Sequence, residues 1–331
     1  MKRVRVGVIG VGRMGIHHAR LYAEIPGAEL VGVADADPAS RARASATYGI
    51  PVFEDHRELL PLVDAVSIAV PTTLHHQVAG ECLDRGIHVL VEKPIAHGVA
   101  EAEDLAARAV ARGVVLQVGH IERFNPAVVE LRRILAAEKL LAISARRCSP
   151  PTPQIFDVDV VFDLLIHDLD IALALAGSPV RSVKATGSAV KGDRIDLALV
   201  QIEFENGILA DLVASKLTQL KIRELTATTE NAYVTVDYIS RDISIYRNAS
   251  VTQAETVNAA VQHREGVLVE KPVVRPIEPL RLELEHVLGC IGGAAPLVTA
   301  ADAIAALRLA TAISDQLTSG AGAPLGIRGG R

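Results

Sequence analysis

Apolar and polar residues are arranged in two different ways along this chain. In the first part, short apolar runs alternate with segments whose apolar residues recur at helical spacing. The runs lie at residues 4–9, 30–34, 65–70, 88–91 and 114–118, and the helical patterns at 14–24, 39–48, 74–85 and 99–112. Strands that alternate with helices predict a doubly wound parallel sheet, which a short strand at 52–53 completes.

The pattern changes after residue 121. A helix at 126–137 and an apolar helix at about 158–176 precede a stretch of successive strands from 180 to 246, with a turn signal at 205–207. Strands without intervening helices pair antiparallel. Helices at about 277–291 and 300–317 follow. The predicted fold class is α/β, with a doubly wound domain at residues 1–121 and an α+β domain at 122–331 that carries an open, mostly antiparallel sheet.

The open sheet leaves one face uncovered, and a neighbouring subunit is one way to cover it. We therefore predict a homo-oligomer, a dimer or a tetramer, formed through the open sheet of the C-terminal domain.

The turn after the first apolar run carries a glycine pattern. It reads Gly10-Val11-Gly12-Arg13-Met14-Gly15, and the second run ends in Asp35, twenty residues beyond Gly15. The three glycines suit a tight turn, the approach of backbone amides to a pyrophosphate, and close packing of helix on strand. An anion is favoured at the helix N-terminus. Asp35 suits ribose hydroxyls and repels a 2'-phosphate, so an NAD-binding Rossmann domain is predicted, although such a string also occurs as an ordinary turn.

Composition narrows the partners. The net charge is -5, aromatic residues make up 3% and Trp is absent, which disfavours a nucleic-acid partner. No apolar stretch approaches the ~20 residues of a membrane span, and no signal-peptide pattern opens the chain, so we expect a cytoplasmic protein without a membrane partner. Three widely spaced cysteines without a CxxC pair argue against disulfides and zinc.

A lysine follows the fourth full apolar run, in the string Val89-Leu90-Val91-Glu92-Lys93-Pro94. Ligands bind at the carboxyl ends of parallel strands, so we expect Lys93 to point into the nicotinamide crevice, the alternative being a surface Glu-Lys turn. Residues 267–272 repeat the same six letters but follow no strand-helix unit. We interpret that copy as an edge segment and Lys271 as a residue without a catalytic role.

The apolar helix at 158–176 carries ionisable residues. At ~100° per residue, Asp159, Asp163, His167 and Asp170 share one stripe, whereas Asp168 points the opposite way. His167 suits proton abstraction from an alcohol, because the pKa of histidine lies near neutrality; the alternative is a hydrogen-bonded core histidine. These residues could also ligate zinc or manganese, but no second inward His or Cys lies at ligand spacing, so no metal is predicted.

Four motifs resemble one known family in their order and spacing. They are the glycine string at 10–15, Glu92-Lys93-Pro94, the string GHIERFNP at 119–126, and Asp163 with His167 as DxxxH. Together they resemble the glucose-fructose oxidoreductase / inositol dehydrogenase (Gfo/Idh/MocA) family. The resemblance implies that Lys93, Asp163 and His167 form the catalytic set. One departure is that Thr72 stands where the family's TPN loop has asparagine.

The glycine pattern and the resemblance together give two residue sets. The predicted cofactor-binding residues are Gly10, Gly12, Arg13, Met14, Gly15, Asp35, Val70, Pro71, His75, Glu92 and Lys93. The predicted substrate-binding residues are Lys93, His120, Arg123, Asp163 and His167.

The resemblance implies that a secondary hydroxyl of a sugar is oxidised by NAD. The strings at 119–126 and 168–171 resemble the UDP-N-acetylglucosamine 3-dehydrogenase branch, which points to the 3-hydroxyl of that nucleotide sugar. A dehydrogenase of a free polyol or sugar such as inositol is the first alternative, since it needs no cations for a diphosphate; Arg146, Arg147, Lys216 and Arg223 are candidates for such cations. The others are a non-enzymatic NAD-binding sensor or scaffold, and a reductase working in the opposite direction.

Overall fold

The computed structural model describes residues 3–151, 159–190, 192–253 and 262–319. The chain divides into two compact units, one formed by Met1–Asn125 with Pro276–Arg308 and the other by Pro126–Arg275 with Leu309–Arg331. In the described ranges, no helix is long and apolar enough to cross a membrane.

The helices are α1 (Gly15–Glu24), α2 (Pro38–Tyr48), α3 (His56–Leu59), α4 (His75–Asp84), α5 (Val99–Arg112), α6 (Pro126–Leu135), α7 (Ile166–Ala176), α8 (Pro279–Ile291) and α9 (Ala300–Thr318). The strands are β1 (Val4–Ile9), β2 (Ala28–Ala34), β3 (Val52–Phe53), β4 (Ala65–Ile68), β5 (His88–Glu92), β6 (Leu116–Gly119), β7 (Leu140–Cys148), β8 (Val180–Ser188), β9 (Leu197–Phe204), β10 (Leu209–Ser215), β11 (Ile222–Thr229), β12 (Tyr233–Asp237), β13 (Asp242–Gln253) and β14 (Gln262–Glu270).

The first unit has a six-stranded parallel sheet in the order β3-β2-β1-β4-β5-β6. This order is that of a doubly wound dinucleotide-binding sheet, and it confirms the predicted Rossmann fold. The strands are short and almost continuously apolar because helices cover both faces of such a sheet. β4, for example, is buried at all of its residues.

Residues 276–308 also belong to the first unit, which differs from the predicted division at 121 into 1–121 and 122–331. Leu280, Leu284 and Val287 of α8 join the core cluster that contains Val8 and Leu21. Their spacing of three and four residues forms one apolar stripe, and the stripe is buried in this core. The periodicity predicted the helix, but the core that it joins is set by contacts distant in sequence.

The second unit has an eight-stranded sheet in the order β14-β13-β12-β11-β7-β10-β9-β8. Most neighbours pair antiparallel, as predicted, and the turn between β9 and β10 contains Gly207 with φ of +85°. β7 and β10 are the exception, since they pair parallel, with Leu209 opposite Ala142 and Ser215 opposite Cys148. β7, which lies between β11 and β10, was not predicted from the sequence.

A buried ion pair joins β7 to α7. Nε and Nη2 of Arg147 each donate to a carboxylate oxygen of Asp168 at 2.8 Å, and the two side chains are 3% and 2% exposed. The guanidinium of Arg147 also lies 5.1 Å from the ring centroid of Tyr238, within cation–π range. Removing one partner of such a pair leaves a buried charge without compensation. The pair therefore ties the helix that carries His167 to the sheet.

We predict that Asp168→Asn lowers the free energy of unfolding by about 3–5 kcal/mol, because Arg147 keeps its charge while its partner loses one. Glu130→Gln, which removes the same charge from the surface pair with Arg133, should cost less than about 1 kcal/mol. Urea titrations followed by circular dichroism measure both values. Equal losses in the two variants would contradict the importance assigned to the buried pair.

Candidate active site

The glycine turn holds β1 and α1 in close contact. Gly10 has φ of +82°, and its amide donates to the carbonyl of Ala34 at 2.7 Å. A Cβ atom at Gly15 would lie 1.8 Å from the carbonyl oxygen of Gly10, whereas a Cβ atom at Gly12 would meet nothing within 4 Å. The fold therefore requires glycine at position 15, whether or not a cofactor binds. The open space beside Gly12 fits the approach of a cofactor pyrophosphate to the backbone.

A cleft of about 270 Å³ lies beside this turn, lined by Gly10, Gly12, Asp35, Val70 and Pro71 among others. One carboxylate oxygen of Asp35 accepts from the amide of Val11 at 2.7 Å, and the other accepts from the amide of Asp37 at 2.8 Å. These bonds orient the carboxylate and leave lone pairs that can accept hydrogen bonds from ribose hydroxyls. The cleft therefore fits NAD at the residues predicted for it.

The side chain of His75, the first residue of α4, contacts the backbone segments that follow β4 and β5. It is 1% exposed, with Nδ1 2.8 Å from the carbonyl oxygen of Pro94 and Nε2 3.0 Å from that of Val70. Burial lowers the pKa of His75, while the two carbonyl groups favour its protonated form. In this position the imidazole supports the backbone of the Val70 and Pro94 segments; a direct contact of His75 with the cofactor stays a prediction.

Lys93 follows β5 directly, at the carboxyl edge of the parallel sheet. Glu92 beside it forms a hydrogen bond with His18 of α1, with 3.0 Å between Oε1 and Nε2, and its other oxygen accepts from the amide of Lys93 at 3.3 Å. Ligands of open α/β sheets bind at this edge, so the position fits the predicted role of Lys93.

The second copy of the same letters lies elsewhere. Residues 267–270 end β14, which is an edge strand of the other sheet. Glu270 is exposed and pairs with Arg247 at 3.0 Å, and Lys271 beyond it is also exposed. The predicted edge position of the second copy is therefore confirmed.

The remaining predicted residues of the first unit differ in exposure. His120 is 1% exposed and caps the 3-10 turn Ile121–Phe124, and Arg123 within this turn is 4% exposed. Arg13 is exposed, and Met14 is the residue at the N-terminal cap of α1. The substrate and cofactor contacts of these four residues stay predictions.

The second unit holds the aspartate and the histidine of DxxxH. Asp163 lies in a π-helical turn, Val161–Leu165, which runs into α7, where His167 is the second residue. A carboxylate oxygen of Asp163 lies 3.0 Å from Nζ of Lys216, which follows β10, and both side chains are largely buried. The structure thus adds a cation next to Asp163.

The cations considered for a substrate diphosphate are mostly engaged by the protein. Arg147 is buried against Asp168, and Lys216 pairs with Asp163. Arg223 donates to the carbonyl of Cys148 and to the hydroxyl of Ser149. Arg146 is exposed on β7.

Sequence reasoning missed two residues that the geometry links to the site, His18 and Lys216 as the partner of Asp163. His18 did give a signal, because it lies three and four residues before the buried Leu21 and Tyr22, on the inner face of α1. A polar residue on a buried face needs a partner. For Lys216 the sequence carried no such signal, because the pair joins segments distant in the chain.

A glycine turn beside an open cleft, an acid after β2 and a lysine at the carboxyl edge of the same sheet are the features of an NAD-binding oxidoreductase. Residues 4–120 match the oxidoreductase family with an NAD-binding Rossmann fold named GFO_IDH_MocA, and residues 150–235 match the GFO/IDH/MocA C-terminal domain. The chain belongs to the Gfo/Idh/MocA family.

Relatives of known activity are similar over most of the chain. The UDP-N-acetylglucosamine 3-dehydrogenase of Acidithiobacillus ferrooxidans is 35% identical over 90% of this chain and 91% of its own length. Its solved structure superposes with a TM-score of 0.87, at 33% identity and over 96% and 99% of the two chains. The scyllo-inositol 2-dehydrogenase (NAD(+)) of Bacillus subtilis is 29% identical over 96% and 95%.

We predict that two glycine substitutions separate stability from cofactor binding. Gly15→Ala should destabilise the protein by about 2 kcal/mol, because its Cβ collides with backbone. Gly12→Ala should leave stability within about 0.5 kcal/mol of the original but weaken NAD binding roughly tenfold or more, a loss of about 1.4 kcal/mol. Thermal unfolding and calorimetric titration with NAD measure the two effects. Unchanged NAD affinity in Gly12→Ala would place the pyrophosphate elsewhere.

Proposed function

We propose that this protein oxidises a secondary hydroxyl group of a sugar, and that its substrate is the 3-hydroxyl of UDP-N-acetylglucosamine. The proposal is based on the similarity to the UDP-N-acetylglucosamine 3-dehydrogenase of Acidithiobacillus ferrooxidans, which extends over nine tenths of both chains. Lys93, Asp163 and His167 are all present at the motif positions that the family uses for catalysis.

The reaction removes a hydride from the carbon and a proton from the oxygen of the alcohol. The glycine turn and Asp35 would hold NAD, which would supply the hydride acceptor. We assign the proton to His167, because a neutral imidazole accepts a proton near neutral pH. A secondary alcohol that has lost a hydride from carbon and a proton from oxygen is a ketone.

In this proposal Lys93 donates a hydrogen bond to the substrate oxygen. Negative charge builds up on that oxygen as its proton leaves, and a fixed cation nearby stabilises the charge. The loss of one such donor costs on the order of 3 kcal/mol in other enzymes. The position of Lys93 at the end of β5 supports this assignment.

Asp163 orients His167 or the sugar, and Lys216 holds the Asp163 carboxylate at 3.0 Å. The ion pair restricts the carboxylate to one direction, so the aspartate acts as a fixed hydrogen-bond acceptor. This arrangement supports a binding role for Asp163 beside the proton acceptor.

A dehydrogenase of a free polyol is the second candidate function. It is favoured by the engagement of Arg147, Lys216 and Arg223 with protein groups, which leaves Arg146 as the exposed member of the four cations considered for a diphosphate. The similarity to scyllo-inositol 2-dehydrogenase gives the same alternative.

A substrate panel distinguishes these functions. NADH formation is followed with UDP-N-acetylglucosamine, N-acetylglucosamine, UDP-glucose, myo-inositol and scyllo-inositol, each with NAD. We expect turnover with the first compound and a ketone at C3 by mass spectrometry and NMR. Turnover with an inositol alone would instead support the polyol dehydrogenase.

The two copies of VLVEKP supply matched variants for this assay. Lys93→Met should reduce turnover roughly 10²-fold or more with NAD affinity largely retained, because it removes the donor to the substrate oxygen. Lys271→Met makes the same change in an exposed edge segment and should leave the rate unchanged. A lower rate in Lys271→Met but not in Lys93→Met would contradict the proposal and assign the chemistry to Lys271.

We further propose that the protein forms a homo-oligomer through the open face of the second sheet. This face carries the exposed Leu199 and Leu209 and a cleft of about 450 Å³ across β7, β8, β9 and β10. Exposed apolar side chains on an uncovered sheet favour burial against another copy.

We predict that Leu199→Glu combined with Leu209→Glu converts the oligomer to a monomer, because the new charges would be buried without partners. Sedimentation equilibrium measures the mass of both proteins. A monomeric wild-type protein, or an oligomer unaffected by the two changes, would exclude this face as the interface.

A further inference from the structure

His18 is a buried polar residue on a helix that otherwise contributes apolar side chains to the core. It is 0% exposed, whereas its neighbour His17 is exposed. Its Nε2 lies 3.0 Å from Oε1 of Glu92, whose side chain is 12% exposed. Burying an imidazole and a carboxylate costs free energy, which an apolar pair of similar size avoids. The pair therefore calls for an explanation beyond packing.

The charge state of Glu92 follows from this contact. Burial favours the neutral acid, but the hydrogen bond and charge of His18, together with the charge of Lys93, outweigh burial and hold the pKa of Glu92 below its ordinary value. The carboxylate is thus kept ionised directly beside Lys93. A charged acceptor forms stronger hydrogen bonds than a neutral one.

The second oxygen of Glu92 is enclosed by the backbone. It accepts from the amide of Lys93 at 3.3 Å. Gly119 of β6 lies opposite Glu92 in the sheet, and a Cβ atom at Gly119 would come within 3.0 Å of the same oxygen. The carboxylate is thus bonded to α1 through His18 and to the Lys93 amide, and it lies in the space that the missing side chain of Gly119 leaves open.

The other side of Lys93 is also held by a buried histidine. The carbonyl of Pro94 lies 2.8 Å from Nδ1 of His75 in α4. The residues before and after Lys93 are therefore each bonded to an imidazole from a different helix. In the ranges that the structure describes, no histidine bonds to the residues on either side of Lys271, and its preceding Glu270 pairs with Arg247 at an exposed edge.

We propose that His18 is a positioning residue for Lys93, which acts through the buried carboxylate of Glu92 to fix the backbone from which the lysine side chain extends. This inference rests on the proposed catalytic role of Lys93. Displacing a reacting group by about 1 Å can cost 10²-fold in rate, so a fixed backbone at this point affects the chemical step more than cofactor binding.

Two substitutions of His18 separate positioning from packing. His18→Leu fills the same buried position with an apolar side chain of similar size but has no donor for Glu92. His18→Gln places an amide N–H near the position of Nε2 and restores the donor. His17→Leu makes the same change on the exposed side of α1 and is the matched control.

The kinetic experiment measures single-turnover NADH formation with the panel compound that the wild-type protein oxidises, and NAD affinity by calorimetry. We expect His18→Leu to slow turnover roughly 10- to 100-fold with NAD affinity within about threefold of wild type. His18→Gln should recover most of the rate, and His17→Leu should retain it. In the Lys93→Met background, His18→Leu should cause no further loss.

Hydrogen exchange supplies a readout that does not depend on turnover. Exchange in a peptide over residues 88–98 should be faster in His18→Leu and close to wild type in His18→Gln, because the amide of Lys93 donates to Glu92. If His18→Leu does not fold, Glu92→Gln keeps the size of the acceptor, removes its charge, and should show the same slowing of turnover and faster exchange.

The outcomes separate the two proposals. A fully active His18→Leu beside an inactive Lys93→Met overturns the inference and leaves the proposed function intact. Equal loss in His18→Leu and His18→Gln reduces His18 to a packing residue and also overturns it. A fully active Lys93→Met removes the catalytic role of Lys93 and the inference with it.

Discussion

The first unit depends on the close contact between the turn after β1 and the first residue of α1. Because Gly15 has no Cβ, the helix begins directly against the carbonyl of Gly10. This contact fixes where every later residue of α1 lies. His18, nearly one turn further along, then reaches Glu92 at the end of β5. A single steric constraint thus sets both the anion-binding end of the helix and the support of the lysine at the end of β5, two strands from β1 in the sheet order.

Much of the fold could be predicted from periodicity, and the exceptions have physical reasons. Strands that are mostly apolar, such as β1 and β4, were readily predicted because helices bury both of their faces. β7 was missed because Ser144, Arg146 and Arg147 interrupt its apolar residues, although Arg147 is buried through its bonds to Asp168. A charged residue is predicted to be exposed unless its partner is known, and Asp168, the partner of Arg147, lies twenty-one residues further along the chain.

The candidate site could be predicted only where local sequence carries the information. The glycine turn and Asp35 are local signals, and the structure places them around one cleft. The string VLVEKP shows the limit of such reasoning, because its two copies differ in nothing except their surroundings. One copy is a central strand with its acid bonded to His18, and the other is an edge strand with its acid bonded to Arg247. The strand-helix pattern before the first copy predicted which one lies in the parallel sheet, but the different partners of the two acids became visible only in the structure.

The π-helical turn at Val161–Leu165 determines how α7 is rotated about its axis. A π turn holds about one residue more than an α turn, and one residue corresponds to ~100° of rotation. Asp163 within the turn can then face Lys216 while Asp168 faces Arg147. Loss of one residue from this turn would restore a regular helix and turn every side chain of α7 to a new direction. A single-codon deletion there would thus redirect His167 without replacing any residue of α7.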